Sequence, residues 1–135
     1  MNIRLPPGAE PPFYRQADMQ AGELTIDIYD MPGRAVRVDF RGKSVHRQPD
    51  MILRPLFADV AKKATAYGGG VEMHFEELDF FNTATITTVI HFVKELRNKQ
   101  MPVVLSYNAS HQWQRVFFDA LGMLAKDGRL KIRAV

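Results

Sequence analysis

The chain has no cysteine. That excludes a disulfide framework, a thiol nucleophile and a thiolate metal site together. No apolar stretch approaches the ~20 residues of a membrane-spanning helix, because Asp, Lys, Arg or His interrupts every run. The first residues lack the basic-then-apolar pattern and cleavage site of a secretory leader, so the expected location is the cytoplasm and no membrane contact is expected. Blocks of like charge are missing as well. The net charge of +3 and isoelectric point near 9.3 invite a nucleic-acid reading. Residues 1–68, however, carry ten Lys/Arg against eight Asp/Glu, and residues 69–135 carry eight against seven. Charges so interleaved describe a solvated surface rather than a basic arm.

What is present is an ordinary globular composition, 46% apolar and 24% charged over 135 residues, enough for one domain with its own core. Residues 1–22 stand apart. Four of the eight prolines (Pro6, Pro7, Pro11 and Pro12) fall here without any periodicity, which reads as an extended or disordered extension. The domain proper is expected over 23–135.

From Glu23 the patterning is regular. Leu24, Ile26 and Ile28 alternate with polar residues, Met31-Pro32-Gly33 is a turn, and Val36, Val38 and Phe40 alternate again. Two strands joined so briefly predict an antiparallel hairpin. Asp50 is the expected cap of a helix to about Tyr67, carrying Ile52, Leu53, Leu56, Phe57, Val60 and Ala64 at helical spacing and stopped by Gly68-Gly69-Gly70. Val71–Glu76 is a third strand. Asn82 to about Lys99 is the clearest helix, with Thr85, Val89, Phe92, Val93 and Leu96 as its stripe. Pro102–Tyr107 is a fourth strand. Ser110 is the expected cap of a helix to Leu124 that buries Trp113, Val116, Phe117, Ala120 and Leu121, and Arg129–Ala134 is the last strand.

The order ββαβαβαβ, with alternating rather than wholly apolar strands, predicts a two-layer α/β domain. Its mixed sheet of about five strands has the helices mainly on one face. Arg37, Arg41, Glu72, His74, Glu76, Lys131 and Arg133 point away from the apolar side. The other face is then wet or an interaction surface.

No catalytic signature emerges. The glycine run precedes a strand and lacks a following Lys-Ser/Thr, so it is a helix-to-strand turn rather than a phosphate cradle. His46, His74, His91 and His111 are not spaced i, i+4, and no metal motif forms. Ser106 and Ser110 lie in no nucleophile elbow, and Glu72, Glu76, Glu77 and Asp79 read as a solvated acidic patch. We therefore expect a binding protein, not an enzyme, without metal or cofactor. Nucleic acid fits poorly, since single-strand readers interleave aromatics with their charges and this face offers little beyond Tyr29.

The informative junction is Leu78-Asp79-Phe80-Phe81-Asn82-Thr83-Ala84-Thr85. Asn82 is a good N-cap, and a phosphate on Thr83 or Thr85 would add ~2 negative charges where the helix dipole favours them. The order of elements resembles the STAS domain (sulphate transporter and anti-sigma factor antagonist) from about Glu23 to Val135. So do the stretch Leu78–Ile90, Phe92-Val93-Lys94-Glu95-Leu96 and Pro102-Val103-Val104-Leu105. The pair Trp113-Gln114 is similar to that of a bacterial STAS-like subgroup. The resemblance implies a regulatory module in signal transduction that binds a partner such as an anti-sigma factor, kinase or phosphatase and releases it on phosphorylation. In that family an Asp-Ser-Ser/Thr-Gly-type sequence opens this helix, and its second hydroxyl residue is the acceptor. The match falls on Asn82, Thr83, Ala84 and Thr85, so the acceptor position is an alanine and the acidic position an amide. A switch would have to use Thr83 or Thr85; otherwise binding is constitutive. An alternative is a self-associating scaffold or homodimer without a phospho-switch, motivated by the open sheet face and by Phe118 and Met123 beside the last helix's stripe.

Overall fold

The computed structural model describes residues 14–31, 35–123 and 129–135, with side chains from 22 onward. Nine elements follow in order. They are β1 (Tyr14–Ala21), β2 (Leu24–Met31), β3 (Ala35–Ser44), α1 (Pro49–Tyr67), β4 (Gly70–Phe81), α2 (Thr83–Asn98), β5 (Val103–Tyr107), α3 (Gln112–Gly122) and β6 (Leu130–Ala134). Among the described residues the strands form one six-stranded sheet whose spatial order is the chain order, β1-β2-β3-β4-β5-β6. β1, β2 and β3 pair antiparallel, and β3 through β6 pair parallel. Parallel crossovers are right-handed. Each of these steps the same way across the sheet, so all three helices land on one face. The result is the expected two-layer α/β domain.

The sheet has one strand more than the pattern predicts. β1 falls inside the segment read as an extension, and it pairs with β2 from Tyr14↔Asp30 to Ala21↔Leu24. Its apolar alternation is short and weak, Ala17, Met19 and Ala21 against Asp18 and Gln20, and an edge strand needs only backbone pairing along one side. The signal that could have found it is Gly22, which takes a positive φ of 62° in the two-residue turn before β2. The proline-rich residues 6–12, the turn residues 32–34 and the expected helix end at Leu124 lie outside the described residues.

Leu24, Ile26, Val36, Val38, Phe40, Val71, Met73, Phe75, Val103 and Leu105 face the helices and are buried. Aromatic rings pack within each layer and between them. Phe40 stacks on Phe75 at 4.8 Å between centroids, Phe57 of α1 stacks on Phe92 of α2 at 4.2 Å, and Phe118 of α3 stacks on Tyr107 at 4.9 Å. Each such ring contributes about 2–3 kcal/mol by leaving water.

Helix ends differ in detail from the expected caps. α1 begins with Pro49, whose missing N–H is not needed in a first turn, and Asp50 lies inside that turn rather than capping it. Gly68 ends α1 in the left-handed region, φ 68°, and donates its N–H to Thr65 O. Two residues on, a Cβ at Gly70 would sit 2.3 Å from Pro102 O, so β4 can start there only with glycine. The glycine run is thus a helix-to-strand turn. α3 is capped at His111 without a side-chain bond, not at Ser110, whose N–H instead donates to Asn108 Oδ1 at 2.9 Å.

Candidate functional site at the start of the second helix

The parallel strands all end on one edge of the sheet, where the N-termini of α1, α2 and α3 gather. β3 and β4 stay paired to their last residues through two register shifts, with Ser44 opposite Phe81. That pairing brings the segment after β3 against the opening of α2, and Asn82 fastens the two. Its N–H donates to Ser44 O at 3.0 Å and its amide nitrogen to His46 O at 2.9 Å. Its side-chain oxygen accepts from the Thr85 N–H at 2.9 Å and from Thr85 Oγ1 at 2.7 Å. Because the Thr85 hydroxyl proton goes to Asn82, the Ser44 hydroxyl donates to Thr85 Oγ1, at 2.7 Å. Ser44 and Thr85 are both buried. The expected cap is therefore present and belongs to a larger clasp.

The four motif positions separate by exposure. Thr83 is exposed, Asn82 and Ala84 are half-buried, and Thr85 is buried. A phosphoryl group on Thr85 would displace its bonds to both Asn82 and Ser44, so Thr83 is the accessible hydroxyl of the pair. Around this opening lie large apolar side chains in water: Val45 is 50% exposed, Phe80 47% and Met51 68%. Val45 follows β3, Phe80 lies opposite Lys43 on β4, and Met51 is in the first turn of α1. The segment 44–46, the end of β4 and the first turn of α2 form one continuous surface with short side chains at its centre.

Sequence reasoning missed the residue that holds the other half of this edge. β4 is paired with β5 only from Val71 to His74 and then runs on alone to Phe81 on that side. Gln114, fully buried on α3, closes the gap. Its amide nitrogen donates to Phe75 O and Leu78 O, both at 2.8 Å, and its oxygen accepts from the Asn108 N–H at 2.8 Å. This places Gln114, Phe118 and Leu121 on the inner side of α3. The expected stripe is corrected accordingly: Val116 and Ala120 are exposed, Trp113 and Phe117 half-buried, and Phe118 is core. A glutamine flanked by apolar residues reads as solvent-facing, which rotates the inferred stripe by about one residue, roughly 100°.

The opposite face of the sheet is polar, as its alternation predicts, but its charges are closely paired. Arg37 donates two hydrogen bonds to Asp39, at 2.6 and 3.1 Å, and Arg41 pairs with the buried Asp27 at 3.0 Å. His74 lies between Glu72 and Glu76, each 3.3 Å from one of its ring nitrogens. Burial opposes charge on His74, but the bonds to Glu72 and Glu76 outweigh it and raise the imidazole above its ordinary value. The same His74 bond holds Glu72 below the usual carboxylate range, while burial pushes Asp39 up against the pull of Arg37. His46 and His91 are exposed and His111 is half-buried, each on a separate element.

No protein-family model matches the chain, and no curated protein does. Its function is read from its own residues.

Proposed function

We propose that the chain is a STAS-like regulatory protein that acts in cytoplasmic signal transduction. It would bind a partner regulatory protein, an anti-sigma factor, kinase or phosphatase, through the surface at the start of α2. The observation that supports this reading most is the placement of Val45, Met51 and Phe80. Exposed apolar side chains of this size stand on the segments that adjoin a hydrogen-bonded helix opening with small residues. Protein interfaces are built around such a combination of anchor residues and low relief. Control by phosphorylation, where it operates, falls to Thr83, which stands exposed at the first position of the helix. A phosphate there would put charge on an apolar docking surface and release the partner.

The test is affinity capture from the native cell with wild type, Phe80→Ser, Thr83→Glu and Ala84→Glu, followed by reconstitution of the captured protein in pure form. One regulatory protein that binds wild type and loses at least about tenfold in affinity to Phe80→Ser and Thr83→Glu is the expected result. Equal binding by all four proteins would remove this surface from consideration.

A second reading, self-association, is favoured by α3. Val116 is 62% exposed and Met123, seven residues on and so on the same side, is 76% exposed. Sedimentation showing only monomer at high concentration, unchanged by Val116→Lys, would dispose of it.

A further inference from the structure

The polar face of the sheet carries a concavity of about 530 Å³, within the range of small-molecule sites. Strand register explains how it is lined. Asp39, His74, Ser106 and Arg133 stand side by side on β3, β4, β5 and β6, since each is the paired residue of the next. Glu76 is one place further along β4 on the same face. Most of the charge here is already satisfied within the protein, and three groups are not. The Ser106 hydroxyl is 1% exposed and has no hydrogen-bond partner. Glu76 Oε1 is buried and forms no hydrogen bond, although it lies 3.3 Å from the same His74 Nδ1 that bonds to Oε2. The Arg133 guanidinium is only loosely held, 3.8 Å from Glu72.

A buried hydroxyl left without a partner costs about 1–3 kcal/mol, so a ligand that supplies the missing bond recovers that energy, and Glu76 Oε1 has capacity to accept a further hydrogen bond. The lining also limits the ligand's charge. Four cationic side chains, His74 included, face four carboxylates. A bare anion meets Glu76 and a bare cation meets Arg133, whereas a molecule offering both an anionic and a donor group satisfies all three. Nucleophilic chemistry at Ser106 does not suit the site, because His74 has both ring nitrogens turned to carboxylates and cannot accept the hydroxyl proton.

We propose that this concavity binds a small carboxylic acid that also carries a hydrogen-bond donor, an α-hydroxy or α-amino acid. Its carboxylate would lie on Ser106 Oγ and the Arg133 guanidinium, and its donor on Glu76 Oε1. The site lies on the sheet face rather than at the helix edge and does not depend on the docking reading.

The experiment is a heteronuclear NMR titration of the full chain with L-lactate, L-alanine, acetate and inorganic phosphate. Saturable shifts at the amides of Ser106, Arg133 and Glu76 are expected for L-lactate or L-alanine, with Kd about 1 mM or tighter, and none for acetate or phosphate. Ser106→Ala deletes an unsatisfied hydroxyl, so it should fold at least as well as wild type, yet bind about tenfold more weakly. No saturable shift with either donor-bearing acid would overturn the proposal. So would equal saturation by acetate or phosphate, which would mark a site for any small anion, or unchanged binding by a folded Ser106→Ala.

Discussion

At Asn82 the side-chain oxygen receives two protons from Thr85 while the amide nitrogen donates to the His46 carbonyl. A carboxylate can do the first and not the second. This gives a physical reason for the amide at the position where the resembling family carries an acid. Asn82→Asp should keep the cap but leave His46 O facing a carboxylate, lowering stability by about 1 kcal/mol in urea unfolding. Asn82→Ala should cost more, about 1–2 kcal/mol, because the cap goes too. Gln114 is the more demanding residue. Gln114→Leu fills the same space but strands two carbonyls and an N–H in the interior, so a loss of about 3 kcal/mol or more is expected in the same measurement. A loss below about 1 kcal/mol would mean that water or a shift of β4 replaces those bonds.

Among the elements, α2 was wholly legible: Thr85, Val89, Phe92, Val93 and Leu96 recur at helical spacing and all five are buried. The β2–β3 hairpin was legible for the same reason, through period-two alternation. α3 was legible as a helix but not in its orientation, since periodicity counts a glutamine as polar whatever it bonds to. β1 was not legible, because Ala17, Met19 and Ala21 make only a short, weak alternation beside a proline-rich segment. The candidate site was half legible. A cap at Asn82 can be read locally, but the Ser44–Thr85 bond joins residues 41 apart, and no local pattern encodes it. One element also carries a flaw that can be repaired. Pro55 lies inside α1 and is exposed, so it denies Met51 O its helical partner with no packing gained in return. Pro55→Ala should raise stability by about 1 kcal/mol and the melting temperature by about 3–5 °C in a calorimetric scan.

For the molecule as a whole, the charged face makes stability depend on pH in a direction that can be worked out. His74 is raised above its ordinary 6.5, so its contribution is complete below pH 6.5 and is lost as pH rises through the folded value. Asp39, raised above 3.8 by burial, acts in the same sense. Glu72 is lowered from 4.5, so its contribution is present above pH 4.5 and lost as pH falls through the folded value. Arg37 of β3 and Arg133 of β6 face the same cluster, and both help to hold Glu72 down. Unfolding free energy should therefore decline as pH rises above 6.5 through the folded value of His74, and decline as pH falls below 4.5 through that of Glu72. In His74→Gln the decline above pH 6.5 should flatten. An unchanged slope in that variant would assign the alkaline loss to other groups.

The identity of spatial and chain order in the sheet bears on how the fold is reached. Each strand from β2 to β6 docks against the strand made immediately before it, and no strand waits for a distant partner. Loop closure is short for the antiparallel steps, whereas each parallel step must first close a crossover through a helix, as from Val36 to Val71, and loses more entropy before its contacts compensate. A chain emerging from the ribosome can add one strand and one helix at a time to a template already in place. In refolding, the β2–β3 hairpin should gain amide protection before the parallel pairs of β4, β5 and β6, which pulsed hydrogen exchange would show.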